Sequence, residues 1–413
     1  MNRKVVPILI ILMLLILELT IFGNNINLSQ PSVNNLVSKT VAGLGNQSDP
    51  NIGYVEYTLD LINNTLLNGN VPIMTSNSPF PVAMTYDPQN GYIYVVNAHS
   101  GTVTVINGKT NTVVGSINVG LVPCGIAYDP QNGYIYVSNS LSWTISVINT
   151  KTNTVIENIS VGAFPNGIIY DPQNGYIYVA ISGASVVCII NPETNTVVGS
   201  INVGTQIGSV LGNFSIGGGP VALAYDPQNG YIYVANKLSD TVTVINTKTN
   251  TVIANINVGS CPVAITYDPQ NGYIYVVNSH SNTVSVINTS TNSVVECINV
   301  GDVPYGITYD PQNGYIYVTD SFSNNIAVIN TKTNSVIGYI NVGEDPKGIM
   351  YDPENGYIYV VNKVSDTISI ISTSPTYSAP PSIFTIPFID YIIVIIAILV
   401  IILIVILYII RKT

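Results

Sequence analysis

The fold is decided by ten residues, Tyr86-Asp-Pro-Gln-Asn-Gly-Tyr-Ile-Tyr-Val95, because the chain repeats them along most of its length. Further copies start at Tyr128, Tyr170, Tyr225, Tyr267, Tyr309 and Tyr351, the last with Glu354 in place of Gln. Successive copies are 42 residues apart, except that 55 residues separate Tyr170 from Tyr225. The longer step places a thirteen-residue insertion within residues 205–219. A fixed period of this length indicates repeated structural units.

Each unit contains four short β-patterns, which we name strands A to D in chain order. In the fifth copy, the Asp, Pro, Asn and Gly of residues 268–272 predict a tight turn between strand A at 262–267 and strand B at 273–278. Tyr alternates with Ile and Val along strand B, which is the period of a β-strand. β-Branched residues predict strand C at 283–288 and strand D at 294–300. No part of the unit has a helical period, so the fold class is all-β.

The size of the unit matches a propeller blade, and the ends of the chain favour a closed ring over an open β-solenoid. The last unit has strand C at residues 367–372 but no strand D. Before the first unit, residues 65–73 resemble a strand D without a blade. We therefore expect residues 65–73 to complete the last blade, which leaves no bare sheet edge where the ring closes. The prediction is a seven-bladed β-propeller of four-stranded blades.

Strand B carries a recurring tetrapeptide, for example at residues 94–97 and 317–320. Tyr317-Val-Thr-Asp320 and its copies resemble the signature of YVTN-repeat β-propeller proteins, and the resemblance extends over residues 64–372. The third copy departs from it, with Ala180-Ile181 as the last pair. Propeller domains of archaeal surface-layer-type proteins are members of that family. The resemblance therefore implies a binding or structural role at a cell surface, and it implies no reaction.

Both ends of the chain have the pattern of membrane segments. Residues 1–23 join two basic residues to an apolar stretch, as in a signal peptide or an uncleaved signal-anchor. Residues 391–410 carry no charge and are long enough to cross a bilayer as a helix. Positive charge at the outer flank of each segment predicts a cell-membrane protein, single-pass or two-pass, with an extracellular propeller. The remaining predicted regions are a polar linker at 24–60, the propeller at 61–372, a Ser/Pro-rich stalk at 373–390 and a cytoplasmic tail at 411–413.

Composition argues against several kinds of partner. Only 8% of the residues are charged, the net charge is −10, and the only arginines are Arg3 and Arg411. An acidic body without arginine does not favour nucleic-acid binding. The four cysteines lack the spacing of a metal site and fall at unrelated repeat positions, so we expect no bound metal, no cofactor and no disulfide framework. The sparse charge also suits an acidic medium.

Variation between the copies is concentrated in the B–C and D–A loops, which alternating strand directions place on one face of the disc. We expect this face, together with the insertion, to bind ligands; neutral drift of the loops is the alternative. The candidate ligand-binding residues are Trp143, Phe322, His99, His280, Asp302, Asp320 and Phe214. The candidate N-glycosylation sites are Asn46, Asn63, Asn158, Asn213 and Asn288.

Residues that could perform chemistry are few. The seven Asp residues of the A–B turns precede Pro and lack the series of acidic ligands in a calcium loop, so we interpret them as turn caps. His99 and His280 alone would leave a metal ion short of ligands. Propeller enzymes need converging catalytic side chains near the axis. We therefore predict a non-enzymatic surface propeller that binds envelope proteins, surface-layer proteins or glycans. The alternatives are a structural component of the cell envelope and a lactonase-like or quinoprotein-like enzyme.

Overall fold

The computed structural model describes residues 54–60, 65–67, 79–204 and 219–373, and the regular secondary structure of these residues is entirely β. None of their segments is a helix long and apolar enough to cross a membrane. The predicted membrane segments at 1–23 and 391–410 lie outside the described residues, as do nearly all of the stalk and the whole cytoplasmic tail.

The chain forms two strands before the first blade, β1 (Tyr54–Asp60) and β2 (Thr65–Leu67). Blade 1 contains β3 (Pro81–Asp87), β4 (Tyr92–Asn97), β5 (Thr102–Asn107) and β6 (Thr112–Asn118). Blade 2 contains β7 (Pro123–Asp129), β8 (Tyr134–Asn139), β9 (Thr144–Asn149) and β10 (Thr154–Ser160). Blade 3 contains β11 (Pro165–Tyr170), β12 (Ile177–Ile181), β13 (Val186–Asn191) and β14 (Thr196–Asn202).

The later blades repeat this pattern. Blade 4 contains β15 (Pro220–Asp226), β16 (Tyr231–Asn236), β17 (Thr241–Asn246) and β18 (Thr251–Asn257). Blade 5 contains β19 (Pro262–Asp268), β20 (Tyr273–Asn278), β21 (Thr283–Asn288) and β22 (Ser293–Asn299). Blade 6 contains β23 (Pro304–Asp310), β24 (Tyr315–Asp320), β25 (Asn325–Asn330) and β26 (Ser335–Asn341). Blade 7 takes three strands from this end of the chain, β27 (Pro346–Tyr351), β28 (Tyr357–Asn362) and β29 (Thr367–Ser372).

Every blade is an antiparallel sheet in which the strands are neighbours in the order A, B, C, D. The A strands form the inner ring, because each contacts the A strands of both neighbouring blades. The ring is complete, since β27 of blade 7 contacts β3 of blade 1. The predicted seven-bladed propeller of four-stranded blades is therefore confirmed.

The strand that completes blade 7 differs from the prediction. β1, and not residues 65–73, pairs with β29 as the fourth strand of this blade. Thr65–Leu67 instead forms β2, which adds a fifth strand to the outer edge of β1. The prediction assumed a short D-to-A connection like that of the other blades, whereas the connection from Asp60 to Pro81 is long enough to fold back on β1. The end of the predicted linker at 24–60 is accordingly a strand of the propeller.

Apolar side chains pack between neighbouring blades rather than into one central core. Tyr275 and Val277 of blade 5, for example, share a buried cluster with Ile316 and Val318 of blade 6. Burying one such side chain contributes about 1.5–3 kcal/mol. The alternation of apolar residues along strands B and C therefore holds each blade against the next.

A buried Tyr of strand B also links six of the blades to the next blade through a hydrogen bond. In blade 5, the Tyr275 hydroxyl accepts from Asn271 Nδ2 at 3.0 Å and donates to Asn334 Oδ1 of blade 6 at 2.9 Å. Tyr359 of blade 7 donates to Asn111 of blade 1 at 3.0 Å, so the same bond is made where the ring closes.

The A–B turns confirm the interpretation of their Asp residues as caps. In blade 5, Asp268 Oδ1 accepts from the amide of Gln270 at 2.8 Å, and Gly272 has a φ of +73°. The Asn-Gly pair thus supplies the positive φ that lets the turn close into strand B. The same Asp-to-amide bond occurs in all seven blades.

Candidate functional site

The strands present two different faces to solvent. A–B and C–D turns meet on one face, where for example the Gly108 amide donates to the Gly91 carbonyl at 3.0 Å. B–C and D–A loops meet on the other, where the Ala98 amide donates to the Phe80 carbonyl at 2.9 Å. We call these the turn face and the variable face. The turns that repeat between the seven copies and the loops that differ between them therefore lie on two opposite surfaces, as predicted.

Blades 2 and 3 carry an apolar patch on the variable face. It consists of Leu121, Val122, Leu141, Trp143 and Phe164, each between 38% and 65% exposed. The Leu141 amide donates to the Leu121 carbonyl at 3.2 Å, which holds the two loops side by side. The Trp143 and Phe164 rings pack edge to face with centroids 6.5 Å apart. Adjoining apolar side chains left in solvent are typical of an interaction site.

A charged cluster occupies the same face on blades 6 and 7. Lys347 Nζ lies 2.8 Å from Asp345 Oδ1 and donates to Ser321 Oγ at 3.1 Å. The same ammonium lies 4.4 Å from the centroid of the Tyr305 ring. Lys363 Nζ is 3.9 Å from the second oxygen of Asp345. The variable face therefore has an apolar part and a charged part.

Tyr305 lies on β23, a strand of the inner ring, at the variable-face end of the opening that this ring encloses, and we call this end the channel mouth. Burial is the main cause that raises the pKa of its phenol, followed by the charges of Cys124, Asp345 and Cys261. Cys124 belongs to blade 2 and Tyr305 to blade 6, so the two side chains approach each other across the axis. Tyr305 nevertheless keeps 38% of its surface accessible, which fits a side chain that faces water enclosed by the blades.

The residues at the channel mouth can be recognised in the sequence, but the comparison of B–C and D–A loops did not include them because they belong to strand A. Strand A starts with Pro in every blade, and the second residue after this Pro is Ala or Gly. At the position directly after the Pro, the type of side chain, whether apolar, polar or charged, differs between blades. The residues at this position are Val82, Cys124, Asn166, Val221, Val263, Tyr305 and Lys347. A register shift at this point in blades such as 2 and 5 marks a bulge that redirects the strand.

Asp320 is the most perturbed carboxyl group of the variable face. It is fully buried, and burial raises its pKa to about 7. Five other blades have Asn at this position; Asn278, for example, donates to Thr283 and Ser285 at 3.1 and 2.9 Å. Blade 6 has Asn325 and Ala327 instead of those hydroxyl groups. Neither Asp320 oxygen nor the Asn325 Oδ1 consequently receives a hydrogen bond from a side chain. The backbone amides of Gly301 and Ala327 partly oppose the rise in the pKa of Asp320.

The other predicted ligand-binding residues lie apart from one another. Phe322 is 74% exposed in the B–C loop of blade 6, where its amide donates to the carbonyl of Asp302, itself exposed. His99 in blade 1 packs against Phe80 at 5.3 Å between ring centroids, and His280 is exposed in blade 5. Phe214 lies outside the described residues. Within the described ranges, no three His, Cys, Asp or Glu side chains gather in a way that could hold a metal ion.

Two of the predicted glycosylation sites fall on described strands. Asn158 is exposed on β10, although its Oδ1 accepts from Ser146 Oγ at 2.8 Å. Asn288 is half-buried at the end of β21, and its Oδ1 accepts from the Ser290 amide at 2.9 Å. Asn46, Asn63 and Asn213 lie outside the described residues. All four cysteines are free thiols.

Comparisons with known proteins place the chain among propellers. A model of the family described as "Lactonase, 7-bladed beta-propeller" matches residues 162–296 and 254–382. No curated protein matches the chain. One similar solved structure is hydrazine synthase from Kuenenia stuttgartiensis, with a TM-score of 0.63 and 20% sequence identity, covering 75% of this chain and 99% of that chain. At this identity, the likeness concerns the fold alone.

Proposed function

The chain belongs to the lactonase family of seven-bladed β-propellers, and from this premise we propose that it is a binding propeller whose ligand docks on the variable face. The ligand is a protein or glycan of the cell envelope. Its apolar surface contacts the patch on blades 2 and 3. The observation that carries this proposal is the patch itself, because five adjoining apolar side chains stay in water.

The course of the chain supports a role for this face. β29 runs from the variable face at Thr367 to the turn face at Ser372, and Tyr54 of β1 pairs with Ser372. The chain therefore enters and leaves the propeller on the turn face. A tether attached at either end leaves the variable face open to a partner. The resemblance to YVTN-repeat proteins and the predicted membrane segments support placement at the cell surface.

The proposal is tested by binding of the purified chain to envelope extracts and a glycan array. We expect the double variant Trp143→Ala/Phe164→Ala to lose about 10- to 100-fold in affinity, because exposed aromatic anchors carry most of the energy of such contacts. A matched control is Ile253→Ala, which removes an exposed apolar side chain from the rim. Binding that survives the double variant, or that Ile253→Ala weakens equally, would contradict the proposal.

Hydrolysis of lactones is a second candidate, because the matching family is described as a lactonase family. The polar groups at the channel mouth include Tyr305, Asp345, Lys347, Cys124 and Asn166, and the Lys347 ammonium is already engaged by Asp345 and Ser321. The binding proposal expects no turnover of a lactone panel above the buffer rate. Saturable turnover that Lys347→Met abolishes would replace the binding proposal with the enzymatic one.

A structural role in the envelope is a third candidate, favoured by the rim. The outer strands expose a band of β-branched side chains: Val114, Ile156, Val198, Ile253 and Val295. Lateral contacts between copies would cover this band. Ordered sheets formed by the purified chain without any ligand, and prevented by Ile253→Lys, would support this role over ligand binding.

A further inference from the structure

The turn face contains a polar cleft where blade 7 meets blade 1. The cleft has a volume of about 450 Å³, and Asp352 and Glu354 of blade 7 and Lys109 of blade 1 line it. The remaining walls come from the A–B turn of blade 1 at residues 88–91, from Asn107 and Gly108, and from Asn355. Every other blade has Gln where blade 7 has Glu354. The sole departure from the A–B turn sequence therefore lies in this cleft.

A second departure from the repeat opens the cleft. In five blades a Thr in the C–D turn donates its hydroxyl to the carbonyl of the A–B turn Gly at 2.8–3.0 Å, namely Thr150, Thr247, Thr289, Thr331 and Thr373. Blade 1 has Gly108 at this position, and blade 3 has Pro192. A smaller cleft of about 270 Å³ adjoins Pro192, the other position that lacks this Thr.

In an ordinary blade, hydroxyl groups of the next blade lie near the turn Asp, although the Oδ2 atoms of Asp87, Asp129, Asp171, Asp268 and Asp310 receive no hydrogen bond. The hydroxyl of Tyr309 faces Asp268, and burial together with this carboxylate raises the pKa of the phenol. Tyr128, Tyr225 and Tyr267 face the Asp of the preceding blade in the same way. Where blade 6 meets blade 7, the Thr373 hydroxyl, which donates to the Gly356 carbonyl, also lies close enough to Asp310 to oppose the rise in its pKa.

Neither of these hydroxyl groups lies beside Asp352. The Tyr86 hydroxyl, which would face Asp352, donates to Glu354 Oε2 instead. Gly108 has no hydroxyl, and a Cβ at this residue would lie 3.4 Å from Asp352 Oδ2. Asp352 is only 1% exposed, and burial raises its pKa. A buried carboxylate oxygen thus borders an open cleft with no hydrogen bond to it from a described side chain.

The charges around the cleft indicate what it would bind. Two carboxylates, Asp352 and Glu354, favour a cation, and the Lys109 ammonium on the rim leaves the cleft with one net negative charge. A calcium ion takes six to eight oxygen ligands, more than two carboxylates supply. A primary ammonium needs only about three acceptors and carries a single charge. The volume leaves room for an organic group attached to it.

We propose that the cleft between blades 7 and 1 binds a small organic molecule through its primary ammonium group, with Asp352 and Glu354 as the acceptors. The ligand takes the place that Thr occupies in five other blades. This site lies on the turn face, opposite the surface assigned to the envelope ligand, so the two can be tested independently.

The test uses the full chain in detergent with glucosamine as the probe and glucose as its neutral counterpart. We expect saturable heat of binding for glucosamine in isothermal titration and none for glucose. Glu354→Gln should weaken glucosamine binding at least about tenfold, because a hydrogen bond to a charged group is lost. Gly108→Thr should abolish it by filling the cleft. Both variants restore residues that other blades carry, so the fold tolerates them.

Gln270→Glu provides the matched control. It adds the same carboxylate where blade 5 meets blade 6, but Thr331 still closes that position. The affinity for glucosamine should therefore stay that of the unmodified chain. Absence of saturation by about 50 mM glucosamine, a weak-binding limit for so small a site, would overturn the proposal. Equal binding of glucose, or binding that survives Gly108→Thr, would also overturn it, as would calcium binding that Glu354→Gln removes while glucosamine stays inert.

Discussion

At the scale of single residues, the molecule is informative where one copy departs from the others; at the position of Asp320, five blades have Asn and blade 3 has Ile181. Asp320 replaces an Asn whose amide bonds two hydroxyl groups, and its neighbours have changed with it to Asn325 and Ala327. Asp320 and Asn325 face each other as partners across β24 and β25. Protonation of Asp320 supplies the hydrogen that these facing acceptors lack. The position therefore stays compatible with the fold as a neutral carboxylic acid.

Asp320→Asn should stabilise the protein at neutral and alkaline pH. The pKa of Asp320 rises in the folded chain to about 7, so the folded state holds a proton that the unfolded state releases above about pH 4. Its contribution to stability thus falls as the pH rises between these values. We expect the substitution to add about 2–4 kcal/mol at about pH 8 and little at about pH 4.5. Urea unfolding at both pH values measures this difference.

Asp302→Asn serves as the control for this substitution. Asp302 is an exposed neighbour whose charge also acts on Asp320. Its loss should change the stability by less than about 0.5 kcal/mol at either pH. A gain from Asp320→Asn that is equal at both pH values would show that titration of this carboxyl is not the cause.

At the scale of elements, repetition decided what the sequence could predict. The fifth copy predicts strands at 262–267, 273–278, 283–288 and 294–300, and β19 to β22 agree with these bounds within one residue. A strand or turn boundary that is ambiguous in one copy can be assigned from the others, because each turn sequence occurs seven times. β1 occurs once, so its pattern had no copy to compare with. The closing strand was therefore placed at 65–73, although the need for such a strand was inferred correctly.

The difference between β1 and β2 gives a test of ring closure. β1 pairs on both sides, with β29 and with β2, whereas β2 pairs only with β1. Thr58→Pro removes a hydrogen bond inside this ladder and should lower the free energy of unfolding by about 1–3 kcal/mol. Leu66→Pro on the outermost strand should cost less than about 1 kcal/mol. Thermal unfolding of the two variants measures this order, and the reverse order would assign closure to residues 65–67.

The candidate sites were less predictable than the strands. Comparison of the loops found Trp143, but not its partners Leu121 and Phe164, because exposure and contact depend on how two loops meet. Glu354 is visible in the sequence as the odd member of seven turns. The cleft that Glu354 lines also needs Gly108, which is distant in sequence and becomes a neighbour of Glu354 only when the ring closes.

At the scale of the whole molecule, exposed apolar residues avoid one surface. Among the described residues, the large exposed apolar side chains lie on the rim strands or on the variable face, and the turn face has none. The rim residues are Val114, Ile156, Val197, Val198, Ile253, Val294, Val295 and Tyr339. The variable-face residues are Leu121, Val122, Leu141, Trp143, Phe164, Leu238, Tyr305 and Phe322. Larger partners are thus expected at the rim and the variable face, and small polar ones at the turn face.

The complete chain should be most stable in mild acid. The pKa values of Asp129, Asp310, Asp320 and Asp352 all rise on folding, and burial is the main cause in each. A raised carboxyl pKa means that the folded state binds more protons than the unfolded one, so stability increases as the pH falls toward about 4. Urea midpoints across this range measure the trend. A maximum near neutrality followed by loss of stability in mild acid would contradict it, and would also remove the inference that sparse charge suits an acidic medium.

The pairing of Tyr54 with Ser372 has a mechanical consequence. Because the two ends of the propeller lie side by side, a force that separates them acts first on this pair and then on each following pair up to Asp60 and Thr367. The hydrogen bonds between β1 and β29 would then break one after another, so that a low force is enough to separate the two strands. A load between one end and a partner on the variable face instead pulls along the strands and strains many bonds at once. The disc should therefore resist a load applied between one end and the variable face, and unfold more readily when its two ends are pulled apart.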